Sequence, residues 1–90
     1  MNAGADAEWE RQDARLNRNY KAALAWLAED PATKAALIKA QRAWIAYRDA
    51  DCQAAWASAR GGTLATFLDV FCRAKHTERR ADEMETFGEP

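Results

Sequence analysis

Two cysteines and the single histidine have the most distinctive chemistry in this sequence. Cys72 and His76 are four residues apart, so on a helix they share a face, and a thiolate beside an imidazole base is an arrangement used in nucleophilic catalysis. No third group that would orient the imidazole is evident. Cys52 and Cys72, with 19 residues between them, match no usual spacing of zinc ligands. We therefore predict no catalytic residue, no metal site and no cofactor.

Disulfide formation is the other chemistry open to the cysteines. Cys52 lies about six residues before the end of the second predicted helix and Cys72 about eight after the start of the third, so both lie roughly 10 Å from the same turn. Ala55 and Ala59 continue the Cys52 stripe, and small residues permit the Cα separation of about 5.5 Å that a disulfide needs. Two buried free thiols are the alternative. Because both cysteines lie at the same distance from the turn, the disulfide is favoured. A disulfide in turn indicates an oxidising compartment.

The pattern of apolar residues predicts three helices and no strand, over about residues 6–28, 31–58 and 64–86. Asp30 followed by Pro31 is typical of a helix start, with a capping carboxylate and a proline at the first helical position. Both breaks are short, so neighbouring helices should be antiparallel. We predict an all-α fold, a single domain of residues 1–90 built as an up-down-up bundle of three helices, with one disulfide between helices 2 and 3.

Polar residues occupy the apolar face of helix 2. Gln41 and Arg48 share that face with Cys52, and counting outward from Asp30 places Arg48 level with Asp13 of helix 1. We predict an ion pair between Asp13 and Arg48 that fixes the register of helices 1 and 2.

The same count places a tyrosine and a tryptophan near these polar groups. Tyr20 falls level with Gln41, and Trp44 lies one turn from Arg48, where its ring can cover the guanidinium. A ligand anchored by Arg48 in an open groove is the alternative. A charge with a partner predicted at its own height does not require a ligand, so the structural role is favoured.

Charge and hydropathy exclude several classes of function. Thirteen basic and 14 acidic residues give a net charge near zero, without the basic arm that nucleic-acid binding requires. No apolar run approaches the roughly 20 residues that span a bilayer, and the first residues lack a signal segment. We predict no nucleic-acid partner and no membrane span, and a protein that is either cytosolic or has had its targeting segment removed.

The stretch at residues 40–52, AQRAWIAYRDADC, resembles the AQRAWIxYRDAxC motif of the LprI-type lysozyme inhibitor family of bacterial envelopes. Shorter motifs agree with that family in the same order, over about residues 13–84. They are the D..LN..Y helix at Asp13, Leu16, Asn17 and Tyr20, the GGT turn at Gly61, Gly62 and Thr63, and the C....T..R...L close at Cys72, Thr77, Arg80 and Met84.

The resemblance implies a secreted or periplasmic helical domain, a disulfide between Cys52 and Cys72, and non-enzymatic inhibition of lysozyme. Many members carry a further cysteine pair upstream of the helix that contains Asp13, and this chain has none there. We therefore expect a targeting segment and the rest of the N-terminal portion to be absent from this sequence.

Two functions from different classes follow. The first is an envelope protein that binds a lysozyme and blocks its cleft through the glycine turn, where a guanidinium and backbone N–H groups protrude. The second is a general protein interaction module of the envelope, with a groove for a partner helix or a second copy, whose oligomeric state the sequence does not define. An enzyme is disfavoured, because no acid, base and nucleophile meet at one height. The predicted partner-binding turn consists of Arg60, Gly61, Gly62 and Thr63.

Overall fold

Three helices and the turns between them make up the computed structural model, which describes residues 3–89. Helix α1 spans Ala3–Trp26, α2 spans Pro31–Ser58 and α3 spans Thr63–Glu85. The molecule is a rod of 49 × 21 × 19 Å. The all-α class and the disulfide between α2 and α3 are thereby confirmed.

The first turn forms where its sequence predicts a helix start. The Asp30 side chain caps α2, because its Oδ1 accepts a hydrogen bond from the Thr33 backbone N–H at 3.1 Å. This bond holds the pKa of the exposed Asp30 carboxyl below its usual value. Pro31 follows at the first helical position, where a missing N–H costs nothing. The cap and the proline together define where α2 begins.

Helix α3 is the element on which both other helices pack. Helix α1 runs parallel to it: Arg15 bridges Asp82 and Glu85, and Asn19 Nδ2 donates to the Ala81 carbonyl at 3.0 Å. Helix α2 runs antiparallel to α3 and is joined to it by the disulfide, whereas α1 and α2 share few contacts. The up-down-up order therefore has its principal interfaces on α3.

The apolar core is concentrated at the end of the rod that contains the first turn. Its buried members come from all three helices and the turn, and tyrosine, leucine, tryptophan and phenylalanine side chains pack around them. The buried residues are Leu16, Ala23, Leu27, Leu37, Ala81 and Met84, with Tyr20, Leu24, Trp44 and Phe87 packed against them. The opposite end, where α2 meets α3 at the glycine turn, depends instead on the disulfide and on polar contacts.

Candidate functional site

The disulfide lies two to three helical turns from the glycine turn. Cys52 is fully buried, Cys72 is partly buried, and their Cα atoms are 5.5 Å apart. The predicted pairing is confirmed, and the described residues hold no free cysteine. Because both sulfurs are bonded to each other, Cys72 has no thiolate for His76 to activate.

Ionic contacts flank the disulfide on one side. Asp49 accepts from Arg73 at 2.7 Å and from Arg48 at 3.1 Å, and Arg73 also donates to Asp69 at 3.0 Å. Burial alone raises the pKa of Asp49, but its hydrogen bonds to the two arginines outweigh burial and hold the pKa below its usual value. Burial likewise lowers the pKa of Arg73, and its bonds to Asp69 and Asp49 raise it overall. This chain of alternating charges fixes α2 against α3.

A histidine contact flanks the disulfide on the other side. His76 Nε2 lies 2.6 Å from Asp51 Oδ2, and the Tyr47 ring and the imidazole form a T-shaped pair with 5.3 Å between their centroids. His76 is buried although Asp51 and Tyr47 are exposed. Sequence reasoning missed this contact, because it considered His76 only as a partner of Cys72 on the same helix.

Arg48 does lie in the seam of α2, but with a different partner from the one predicted. Its side chain is 12% exposed, its guanidinium lies 5.0 Å from the centre of the Trp44 ring, and its ion pair is with Asp49. Within residues 3–89 no ion pair joins Arg48 to Asp13. The Trp44 ring covers the Arg48 guanidinium, in agreement with its position one turn away. The predicted ion pair between Asp13 and Arg48 is wrong, because Arg48 pairs with Asp49.

The error in the Asp13 prediction has a geometric cause. Helix α1 ends at Trp26, not next to Asp30, so Asp13 lies 13 residues from the end of its helix while Arg48 lies 17 residues into α2. At 1.5 Å per residue the two heights differ by about 6 Å. In addition, α1 packs chiefly on α3, so the seam of α2 faces α3.

Gln41 is buried in the same seam and, unlike Arg48, it bonds to α3. Its Oε1 accepts from Arg80 Nε at 2.9 Å. Tyr20, predicted to lie level with Gln41, packs against the apolar core. Ile45, which lies seven residues before Cys52 and so on the same face of α2, is 40% exposed.

The glycine turn, residues 60–63, is an exposed tip with an unusual backbone. Arg60, Gly61 and Gly62 have φ values of 53°, 90° and 84°. Among the described residues, Arg60 is the only one other than glycine with a positive φ. Gly62 is the N-cap residue of α3 and offers no side-chain acceptor, so the first-turn backbone N–H groups have no side-chain cap, although Ala65 N–H donates to the Gly62 carbonyl at 3.2 Å. The tip therefore combines a guanidinium with the positive end of a helix.

Large apolar side chains surround this tip. Trp56 is 42% exposed on the last turn of α2, and Leu64 is 57% exposed on the first turn of α3. Phe67 and Phe71 stack at 5.7 Å between ring centres and line a groove of about 390 Å³ with Gly4 and Ala5 of α1. Sequence reasoning did not include Trp56 in the predicted partner-binding turn. Its position four residues before Arg60 was the only signal that it belongs to the tip.

Comparison with known proteins gives two matches. The family model described as "Lysozyme inhibitor LprI" matches residues 1–84. An uncharacterized protein of Rhizobium meliloti (strain 1021) is 35% identical over 100 aligned positions, which cover 99% of this chain and 72% of that protein. No solved structure gives a significant match. No helix within residues 3–89 has the length and apolar character needed to cross a bilayer.

Proposed function

This chain belongs to the lysozyme inhibitor LprI family, and from that membership we propose that it is a non-enzymatic protein that binds a lysozyme-like muramidase and blocks its cleft. The cleavage machinery of such an enzyme is a pair of carboxyl groups that flank the scissile glycosidic bond. An inhibitor of this kind needs a rigid protrusion that carries donors for those carboxyl groups. The exposed tip at residues 60–63, with Arg60 beside a helix start that has no side-chain cap, carries the proposal.

Arg60 supplies the donors that a carboxylate accepts best. A guanidinium can bind both carboxylate oxygens at once, and such charge-assisted bonds are about twice as strong as neutral ones. The free N–H groups at the start of α3 add partial positive charge at the same place. Both features suit a cleft lined by acidic groups.

The backbone of Arg60 supports a role for its side chain. A residue with a Cβ in the left-handed region costs roughly 1–2 kcal/mol, whereas glycine adopts it freely. Arg60 has φ 53° directly before two glycines with positive φ. An arginine where glycine would be easier is the kind of local strain found at functional positions.

Trp56 and Leu64 provide the apolar part of the proposed interface. Tryptophan and arginine are the residue types that most often dominate binding energy, and they do so when surrounded by contacts that exclude water. Both apolar side chains lie within one helical turn of residues 60–63 and are exposed. The disulfide-braced hairpin holds them in fixed positions, so little conformational entropy is lost on binding.

The proposal includes a secreted or periplasmic location. Disulfides persist in oxidising compartments and are rare in the cytosol, and the Cys52–Cys72 bond is the basis for this part of the proposal. Long-range attraction contributes little, because a net charge of −1 does not steer the protein strongly towards a basic enzyme.

A general interaction module of the envelope is the second candidate. Exposed Phe67 and Phe71 beside the groove on α1 favour it, because apolar grooves between helices accept partner segments. Light scattering after size exclusion tests whether the occupant is a second copy. A monomer at high concentration would remove self-association from this candidate.

The inhibition test compares two charge reversals. Oxidised wild-type protein, Arg60→Glu and Arg42→Glu are titrated into a lysozyme turnover assay, with circular dichroism as the check on folding. Arg42 is exposed on the outer face of α2, so Arg42→Glu makes the same charge change away from the tip. We expect inhibition by wild type and Arg42→Glu, and at least tenfold weaker inhibition by Arg60→Glu. Equal inhibition by all three proteins would rule out the tip as the binding surface.

A further inference from the structure

The two cysteines and the histidine form a cluster of potential metal ligands, but the disulfide bond makes the two sulfurs unavailable to a metal. One ligand atom each from Cys52, Cys72 and His76 lie within 4.8 Å of one another. We propose that reduction of the disulfide converts this cluster into a binding site for a thiophilic divalent cation such as Zn²⁺. Two thiolates and one imidazole are ligands that zinc prefers, and water would complete a tetrahedral set.

The geometry requires only a small movement of the sulfurs. With zinc–sulfur bonds of about 2.3 Å, two thiolates on one tetrahedral ion lie roughly 3.8 Å apart. The Cα atoms of Cys52 and Cys72 are already 5.5 Å apart on two packed helices, so side-chain rotation suffices. A spacing that matches no zinc motif along the chain therefore becomes a compact set across the α2–α3 interface.

Asp51 orients the histidine for this role. Its carboxylate lies 2.6 Å from His76 Nε2, which leaves Nδ1 as the ring nitrogen free for a metal. Metal-binding histidines almost always give their other ring nitrogen to a carboxylate, a carbonyl or water, and loss of that partner lowers metal affinity by about 10- to 100-fold. His76 is buried, and the Tyr47 ring packs against it, so the imidazole is held in place.

The disulfide and the metal exclude each other. Reduction adds two electrons and two protons to the S–S bond and gives two thiols, with a dithiol or a phosphine as the reductant. Binding of Zn²⁺ to both sulfurs then releases two protons, because the thiolate is the ligand. The oxidised protein therefore has no thiolate to offer.

The first experiment measures metal binding in both redox states. Protein treated with a phosphine, which leaves no competing thiol, is titrated with Co²⁺ and then with Zn²⁺. We expect sulfur-to-cobalt absorption in the near ultraviolet, its displacement by Zn²⁺, and no absorption with the oxidised protein. Circular dichroism of the same samples should show that Zn²⁺ preserves or restores helix content in the reduced protein. Failure of the reduced protein to bind Zn²⁺ at micromolar concentration would overturn the proposal.

Variants separate the folded site from binding by any pair of thiols. His76→Ala is expected to weaken Zn²⁺ binding by at least tenfold, and the loss is unambiguous because the chain has one histidine. Asp51→Asn is expected to weaken it by about tenfold or more. Asp69→Asn is the control, since it removes a carboxylate that contacts Arg73 and not the histidine. Equal affinities for wild type, His76→Ala and Asp51→Asn would contradict the site.

Discussion

Removal of the disulfide should cost this protein a large part of its stability. The change is the double substitution Cys52→Ala and Cys72→Ala, with alanine chosen because serine would bury a hydroxyl at the fully buried Cys52. The bond closes a loop with a sequence separation of 20. The chain-entropy relation for a loop of that length gives about 11 cal/mol/K, or about 3.3 kcal/mol at 25 °C.

A loss of this size matters because small domains have a free energy of unfolding of about 5–15 kcal/mol. For a chain of this length, a change of about 3 kcal/mol lowers Tm by roughly 15–25 °C. The effect should be uneven along the molecule. The half of α2 next to the glycine turn packs on α3 and lies away from the core, so its amides should lose hydrogen-exchange protection first.

Urea unfolding followed by circular dichroism measures the predicted loss. The double variant and the phosphine-treated wild type are compared with the oxidised wild type, and agreement between the first two excludes an effect of the alanines themselves. A loss below about 1 kcal/mol in both would refute the view that the disulfide replaces a core at the tip. Uniform loss of exchange protection over all three helices would refute the local part of the prediction.

Three further predictions concern single residues. Asp49→Asn should destabilise the protein at pH 7 by less than about 1 kcal/mol, because the side chain is partly exposed and its arginine partners are screened. The pKa of Asp49 is lowered by folding, so the difference in free energy of unfolding between wild type and variant should be present above about pH 4. It should vanish as the pH falls through the pKa of Asp49 in the folded protein, and urea unfolding at several pH values measures it. Gly88→Ala should lower the free energy of unfolding by about 1–2 kcal/mol and change tryptophan fluorescence, because Gly88 has φ 88° and an added Cβ would lie 2.6 Å from the Trp26 ring. Unchanged fluorescence and stability would contradict this prediction. Arg60→Gly should keep the free energy of unfolding within about 1 kcal/mol of wild type, or raise it, while weakening inhibition, and a variant that loses stability and inhibition together would point to a structural role instead.

Local signals in the sequence are sufficient to predict most of the fold. Asp30 and Pro31 define the start of α2, and the two glycines at 61 and 62 define the second turn, because each acts through its own backbone geometry. The disulfide is predictable for a related reason. The positions of both cysteines are measured over a few residues from the same glycine turn, so an error in the total length of either helix does not affect the predicted pairing.

Contacts between helices are harder to predict. The count that paired Asp13 with Arg48 assumed that α1 continues almost to Asp30 and that it packs on α2. Because α1 ends at Trp26, four residues before the Asp30 from which the count started, every height counted along α1 is displaced by about 6 Å. Which two helices pack together depends on the sum of many small burial terms, and no single residue carries that information.

The candidate site shows the same division. The glycine turn is visible in the sequence, whereas the exposure of Trp56 follows from the position of the core at the opposite end of the rod. The contact between Asp51 and His76 depends on the rotation of α2 relative to α3, which the disulfide sets. These tertiary features supply the apolar rim of the proposed interface and the ligand set of the proposed metal site.

Turnover of a lysozyme in the presence of the oxidised protein tests the proposed function most directly. A panel of lysozymes from different structural classes is assayed on cell-wall substrate while the protein is added up to a large molar excess. We expect at least one enzyme to lose turnover in a saturable manner, with the loss relieved by Arg60→Glu. Full turnover of every enzyme at large excess would contradict the proposal that this chain is a lysozyme inhibitor.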